Sequence, residues 1–369
     1  MIKQNYSSSI LAVSNSILLH YGATPHHATL PVLDDLLSKN YKNVVLLVMD
    51  GMGVNVLEKN LPINAFLRKH IKMQISSVYP CTTTAALTSI LSGKTPIEHA
   101  WLGWSCYFKE VDKCIDLFSG HESGTEMPAH GENQANKYLG YENILLQIQS
   151  ASSDVKTCAV SPFTEYFANT IEGICEHIKN LGNEDGCKFI YAYHYQPDYD
   201  IHYYGVSSPS INAMMAEYNN QLERLADALS DTLFLITADH GMTDITMKCI
   251  EDFPQVNEML KRHICLEPRC CSFYIKDDYK IEFAKRFRET FAEKFLLYTH
   301  DEFIKSGLLG KGSLHSRTDE FVGDFVAVAV SDIALWYKAY NWESNDFYGA
   351  HAGLTEDEML VPLIVIEKN

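Results

Sequence analysis

The segment NVVLLVMDGMG, residues 43–53, joins a continuous apolar run to an aspartate and two glycines. Such a run, rich in leucine and β-branched residues, is typical of a strand buried on both faces, as in a parallel sheet. Four more runs of this kind lie at residues 188–193, 232–237, 324–330 and 361–366. Helical patterns separate them, for example at residues 208–229, where Pro209 suits a first helical turn. The alternation predicts an α/β fold with a doubly wound, mostly parallel central sheet flanked by helices.

Two segments interrupt this alternation. Residues 94–136 are rich in glycine, histidine and aromatic residues, and we expect them to form a lid or substrate wall. Residues 250–314 contain a short apolar strand and an amphipathic helix at 280–295, which predicts a small inserted α+β subdomain. The core predicted around these insertions comprises residues 1–249 and 315–369.

The charge balance excludes one class of partner. The chain of 369 residues has 30 Lys and Arg against 47 Asp and Glu, a net charge of −17. This charge repels the phosphate backbone of DNA and RNA. We therefore expect no nucleic-acid polymer as substrate.

The ten cysteines and the apolar pattern indicate the compartment. The cysteines lack C-x-x-C spacing, so we expect mostly buried free thiols instead of a structural zinc site. The first residues do not resemble a secretory signal, and no apolar run reaches the length of about 18 residues that a membrane helix needs. These features predict a soluble protein of the reducing cytoplasm without a membrane partner. They do not indicate an oligomeric state.

Polar residues follow three of the predicted strands. Ligands bind beyond the carboxyl ends of strands in open α/β sheets, so these residues are expected at one rim of one sheet. They are Asp50, Asp198, His202, Asp239 and His240. Three carboxylates at one rim repel each other unless a divalent cation compensates their charge. Mixed imidazole and carboxylate ligands suit Zn²⁺ best, with Mn²⁺ as the second choice.

A hydroxyl group and a third histidine extend this candidate site. Residues 79–93 place three threonines at the start of a short helix that Gly93 ends. One threonine is either a helix cap or a nucleophile that a metal ion activates. His351 lies between small residues that let a metal approach. Three carboxylates, three histidines and one hydroxyl are too many ligands for one catalytic zinc and suit two.

These motifs resemble the alkaline phosphatase superfamily and, within it, the nucleotide pyrophosphatase/phosphodiesterase branch. The resemblance rests on residues 48–53, 79–93, 197–202, 238–242 and 351–362, in the family's order. It implies that one metal is held by Asp50, Thr83, Asp239 and His240, and the other by Asp198, His202 and His351. It also implies a two-metal, in-line phosphoryl transfer in which Thr83 becomes a phosphothreonine intermediate.

One position departs from the family. Trp104 stands where the family's phosphodiesterases carry an asparagine that donates to a phosphate oxygen. Trp104 is predicted to bind substrate as a donor through its indole or to pack as an aromatic wall, and the nearby Tyr107 is the substitute donor. Aromatic residues, among them Tyr193, Tyr199 and Tyr203, are compatible with stacking a nucleobase.

The resulting prediction is a phosphodiesterase or nucleotide-pyrophosphatase-like hydrolase of small phosphate esters, with a nucleotide among the candidate substrates. Its first alternative is a phosphomonoester or phosphonate hydrolase of the same superfamily, because the asparagine is replaced. Its second alternative is a non-catalytic binding homologue.

Overall fold

The computed structural model describes residues 4–129, 131–338 and 347–369. His130, inside the predicted lid, lies outside them. The strands are β1 (Asn43–Met49), β2 (Ile71–Ser76), β3 (Ser105–Phe108), β4 (Lys113–Asp116), β5 (Val155–Ser161), β6 (Tyr166–Phe167), β7 (Cys187–His194), β8 (Thr232–Thr237), β9 (Thr243–Asp244), β10 (Thr246–Cys249), β11 (Cys265–Glu267), β12 (Cys270–Phe273), β13 (Phe295–Thr299), β14 (Phe325–Ala329), β15 (Ile333–Trp336), β16 (Gly349–Ala350) and β17 (Leu360–Lys368).

The helices connect these strands. They are α1 (Ile10–His20), α2 (Pro31–Leu37), α3 (Val54–Asn60), α4 (Phe66–Lys69), α5 (Thr83–Ser92), α6 (Pro96–His99), α7 (Gln134–Tyr138), α8 (Ile144–Ala151), α9 (Ile171–Asn183), α10 (Asp198–Tyr204), α11 (Pro209–Ala228), α12 (Pro254–Asn257), α13 (Lys280–Phe291), α14 (His300–Lys305), α15 (Ser316–Phe321) and α16 (Glu356–Met359).

The central sheet confirms the predicted fold class. In the described part of the chain it has seven strands in the order β2-β17-β8-β1-β7-β5-β6. Strand β1 is buried along its whole length and pairs in parallel with β7 and β8. Strand β17 is antiparallel to both of its neighbours, so the prediction of a parallel strand at 361–366 is wrong. An apolar run indicates that a strand is buried on both faces, but it does not indicate the direction of that strand relative to its neighbours.

The chain also forms a second large sheet. Among the described residues it has six strands in the order β13-β14-β12-β11-β3-β4. Strand β14, expected in the parallel sheet from the run 324–330, instead pairs antiparallel with β12 and β13. Its side chains alternate between two apolar clusters, one holding Val326 and Val328 and the other Phe325, Ala327 and Ala329. Burial on both faces of this sheet therefore accounts for the apolar run.

The second sheet combines distant parts of the sequence. The predicted lid supplies β3 and β4, and the range 250–314 supplies β11, β12 and β13. Because these strands pair with one another and with β14, the range 250–314 as a separate subdomain stays a prediction. Helix α13 ends at Phe291, earlier than expected, and β13 begins at Phe295.

Local signals set the helix ends as expected. Ser208 caps α11 by accepting from the Ile211 amide, and Pro209 occupies its first turn. Gly93 ends α5 with φ 72°, a left-handed conformation that glycine adopts without strain.

The cysteines and helices bear on the predicted compartment. Eight cysteines in the described ranges are free thiols, most of them buried, while Cys114 and Cys265 are joined as a disulfide. Among the described residues, no helix has the length and apolar character needed to span a bilayer. A cytoplasmic location stays a prediction.

Candidate active site

The register of the central sheet brings the predicted strand-end residues together. Val48 of β1 lies opposite Tyr193 of β7 and Thr237 of β8, so the three strands end at one rim. The backbone amide of Asp198 donates to the Asp50 carbonyl at 3.1 Å, which ties the start of α10 to the end of β1. Gly51 permits this approach because it has no side chain. A Cβ atom added to Gly51 would lie only 2.8 Å from the Cβ of Asp198.

One set of side chains surrounds His240. Its Nε2 lies 3.2 Å from Thr83 Oγ1, 3.3 Å from Asp50 Oδ1 and 3.5 Å from Asp239 Oδ2. His240 and Asp239 are fully buried. The structure thus brings together the four residues that were predicted as ligands of one metal.

A second set surrounds Asp198. Its Oδ2 lies 3.3 Å from His202 Nε2, and its Oδ1 lies 3.7 Å from His351 Nε2. Asp198 and His202 are one helical turn apart on α10. The three residues predicted as ligands of the other metal therefore also lie together.

The two sets form one centre. The rings of His240 and His351 stack with centroids 4.0 Å apart. Potential ligand atoms lie within 4.8 Å of one another in two groups, Asp198 with His202 and His351, and Asp50 with Asp198 and His240. In the described ranges, buried Asp50 Oδ1, Asp198 Oδ1 and Asp239 Oδ2 have no hydrogen-bond partner. Unpaired buried carboxylate oxygens beside imidazole nitrogens are the donor set that divalent cations need, so these residues fit metal binding.

The electrostatics of this centre reflect crowded carboxylates. Burial, and then the charges of Asp239 and Asp198, raise the pKa of Asp50 well above its usual range. Burial also raises the pKa of Asp239, against the opposing effect of His240. Burial and the neighbouring His240 lower the pKa of His351 well below its usual value. This shift favours the neutral imidazole of His351, the form that binds a metal.

Hydrogen bonds from outside the centre orient its members. The Tyr193 hydroxyl donates to Asp50 Oδ2, and the amides of Gly51 and His240 donate to Asp239 Oδ1. His202 Nδ1 lies 2.8 Å from the Gly349 carbonyl oxygen, so Nδ1 carries the proton. The unprotonated Nε2 is then the atom that can bind a metal. Each contact fixes one atom of a side chain and leaves the other for a ligand.

The structure distinguishes the three threonines at the start of α5. The Thr83 hydroxyl lies beside His240, whereas the Thr82 hydroxyl donates to Glu267 Oε1 at 2.5 Å. The buried Thr84 hydroxyl has no hydrogen-bond partner within the described residues. Thr83 is therefore the threonine that joins the centre.

The two predicted substrate-binding residues lie at the second sheet. Trp104 is 42% exposed, packs edge-on against Phe118 and donates its backbone amide to Glu267 Oε1 at 2.6 Å. The Tyr107 hydroxyl donates to Asp112, and the Arg262 guanidinium covers its ring. The hydrogen-bond partners of Trp104 and Tyr107, Glu267 and Asp112, lie outside the two sets of candidate ligands. Their role in substrate binding stays a prediction.

Two site residues have roles that the sequence did not indicate. Tyr193 is one of the tyrosines compatible with base stacking, but its side chain is buried and its hydroxyl donates to Asp50 Oδ2. Tyr199 and Tyr203 are exposed on α10. No motif of the sequence points to Glu267, which ends the short strand β11.

The comparisons with known structures agree with this fold. An inactive variant of murine ectonucleotide pyrophosphatase / phosphodiesterase 5, solved in complex with AMP, has a TM-score of 0.63 and 15% identity, over 87% of each chain. Phosphonoacetate hydrolase from Sinorhizobium meliloti 1021, in complex with phosphonoformate, has a TM-score of 0.63 and 16% identity, over 88% of this chain and 90% of that chain. At such identities these likenesses show the fold alone.

The family comparison gives the class of protein, the phosphodiesterases and nucleotide pyrophosphatases. Residues 44–353 match the family model. The chain belongs to the type I phosphodiesterase / nucleotide pyrophosphatase family. No curated protein sequence matches the chain.

Proposed function

We propose that the chain is a two-metal phosphodiesterase or nucleotide-pyrophosphatase-like hydrolase that acts on small phosphate esters through a phosphothreonine at Thr83. The observation that carries this proposal is the Thr83 hydroxyl, 3.2 Å from Nε2 of His240, whose ring stacks on His351 of the other set of candidate ligands. One set is Asp50, Thr83, Asp239 and His240, and the other is Asp198, His202 and His351. Two divalent cations, Zn²⁺ before Mn²⁺, lower the pKa of the hydroxyl and offset phosphoryl charge when bound.

The chain's own residues supply the nucleophile and its setting. The Thr83 Oγ attacks phosphorus, a bond from Oγ to phosphorus forms, and the bond from phosphorus to the leaving oxygen breaks. The leaving oxygen takes up a proton in place of the one that the Thr83 hydroxyl gives up. Water then attacks the same phosphorus, the bond from phosphorus to Oγ breaks, and one proton of the water returns to Oγ as the phosphate product leaves. Thr83 is the first residue of α5, where amide groups and the helix dipole favour a phosphate anion.

Replacement of Thr83 tests the nucleophile. Thr83→Ala is expected to lower kcat for p-nitrophenyl thymidine monophosphate by at least about 10³-fold, because no other side chain replaces the attacking oxygen. The matched control is Thr84→Val, which replaces a neighbouring buried hydroxyl by a methyl of similar volume and is expected to leave kcat unchanged. A Thr83→Ala variant with wild-type turnover contradicts the proposal.

A phosphomonoester or phosphonate hydrolase is the second candidate. One observation favours it: Trp104 stands at the position of the family's asparagine, the diesterase hallmark. Turnover of p-nitrophenyl phosphate far above that of p-nitrophenyl thymidine monophosphate is the result that selects this candidate.

A further inference from the structure

Glu267, the last residue of β11, connects three separate parts of the chain. It is buried, and its single oxygen Oε1 accepts both from Thr82 Oγ1 at 2.5 Å and from the Trp104 amide at 2.6 Å. Thr82 precedes α5, Trp104 precedes β3 of the second sheet, and Glu267 ends β11, the neighbour of β3 in that sheet. One carboxylate oxygen therefore joins the start of α5 to two paired strands of the second sheet, β11 and β3.

The contact changes what Thr82 does for α5. Thr82 is the N-cap residue of this helix, and an N-cap threonine ordinarily accepts from an amide of the first turn. Within the described residues its side chain makes no such bond, and its hydroxyl donates to Glu267 instead. The first amides of α5 are thus left for an anion beside Thr83.

We propose that Glu267 is a positioning residue of the Thr83 site, which fixes the start of α5 and withholds the Thr82 hydroxyl from its amides. This role rests on the proposed function. Glu267 acts through Thr82 and does not touch the reacting atoms.

The proposal predicts separate effects on kcat and KM. In Glu267→Ala, the Thr82 hydroxyl is free to cap the helix, and both Thr83 and the backbone at Trp104 lose an anchor. Misplacement of a nucleophile by about 1 Å costs up to about 100-fold in rate, so we expect kcat to fall about 10- to 100-fold. KM is expected to change by less than about threefold, since the loss concerns the transition state.

The conservative variant separates positioning from mere folding. In Glu267→Gln the amide oxygen still accepts both hydrogen bonds, so kcat is expected within about threefold of wild type. Thr82→Val removes the donor and is expected to lower kcat as well. The double variant Glu267→Ala/Thr82→Val is expected to be no slower than Glu267→Ala alone, because both changes break the same contact. Thr84→Val is the control on the same helix.

The experiment measures kcat and KM of the metal-loaded variants for p-nitrophenyl thymidine monophosphate, with melting temperatures alongside. The role is overturned if kcat of Glu267→Ala lies within about twofold of wild type, or if Glu267→Gln is as slow as Glu267→Ala. It is also overturned if the effects of Glu267→Ala and Thr82→Val on kcat multiply in the double variant. If Glu267→Ala does not fold, the comparison of kcat between Thr82→Val and Thr84→Val decides whether the contact positions Thr83. An inactive wild type contradicts the proposed function itself, whereas an active wild type with an unaffected Glu267→Ala contradicts the positioning role alone.

Discussion

Tyr193→Phe tests how the protein prepares Asp50 for a metal. The Tyr193 hydroxyl donates to Asp50 Oδ2, while Asp50 Oδ1 lies 3.3 Å from His240 Nε2. One oxygen is therefore held by the protein and the other faces the centre. Removal of the hydroxyl leaves Oδ2 buried without that donor, and the carboxylate loses its fixed orientation.

The magnitude follows from these contacts. Loss of a group that orients a metal ligand typically lowers metal affinity about 10- to 100-fold, or about 1.4 to 2.7 kcal/mol. The pKa of Asp50 adds a pH dependence. Burial and the charges of Asp239 and Asp198 raise this pKa, and the bond from Tyr193 lowers it. In Tyr193→Phe the pKa rises further, so protons compete better with the metal and the loss of affinity is greater at pH 6 than at pH 9.

The assay titrates metal-stripped protein with zinc in competition with a chromophoric chelator at both pH values. The matched control is Tyr21→Phe, which removes another buried tyrosine hydroxyl, one that donates to the Lys188 carbonyl at the far end of β7. We expect Tyr21→Phe to bind zinc as wild type does. The reasoning is refuted if Tyr193→Phe binds zinc within about twofold of wild type, or if Tyr21→Phe loses as much.

Two further predictions concern stability. Burial raises the pKa of Glu267 to about 7 from its usual 4.5, so the free energy of unfolding falls as pH rises through this window, by about 3 kcal/mol. The melting temperature of metal-free Glu267→Gln, relative to that of metal-free wild type, should therefore rise between pH 4.5 and pH 8. A difference between the two melting temperatures that does not change with pH contradicts this prediction. Glu358→Gln removes the charge that pairs with fully buried Arg269 and should lower the free energy of unfolding in urea by about 3 kcal/mol. Glu184→Gln, at the exposed pair with Lys156, should change it by less than about 1 kcal/mol, and equal losses refute the contrast.

The strand-end ligands were predictable because their positions follow from local sequence. An apolar run that is followed by a polar residue marks the carboxyl end of a strand, and parallel strands place these ends at one rim. Asp50 and Asp239 meet there as expected. The partners and directions of β14 and β17 were not predictable, because an apolar run reports burial and carries no information on the neighbouring strand.

The contacts around the centre depend on long-range packing. Glu267 is 185 residues from Thr82 and 163 from Trp104 in sequence, and no spacing rule connects them. Tyr193 lies in an apolar run, where the sequence alone indicates only that the tyrosine side chain packs against its neighbours. Only the register, which sets Tyr193 opposite Val48, places its hydroxyl beside Asp50.

Metal content paired with turnover tests the central claim, a hydrolase whose carboxylate and histidine centre requires two divalent cations. Purified protein is analysed for bound metal, and hydrolysis of p-nitrophenyl thymidine monophosphate is measured before and after chelation. We expect about two zinc ions per chain, with cleavage that chelation abolishes and added zinc restores. The claim is contradicted if the protein has no bound metal and shows no turnover even after metal is added. It is also contradicted if turnover survives chelation.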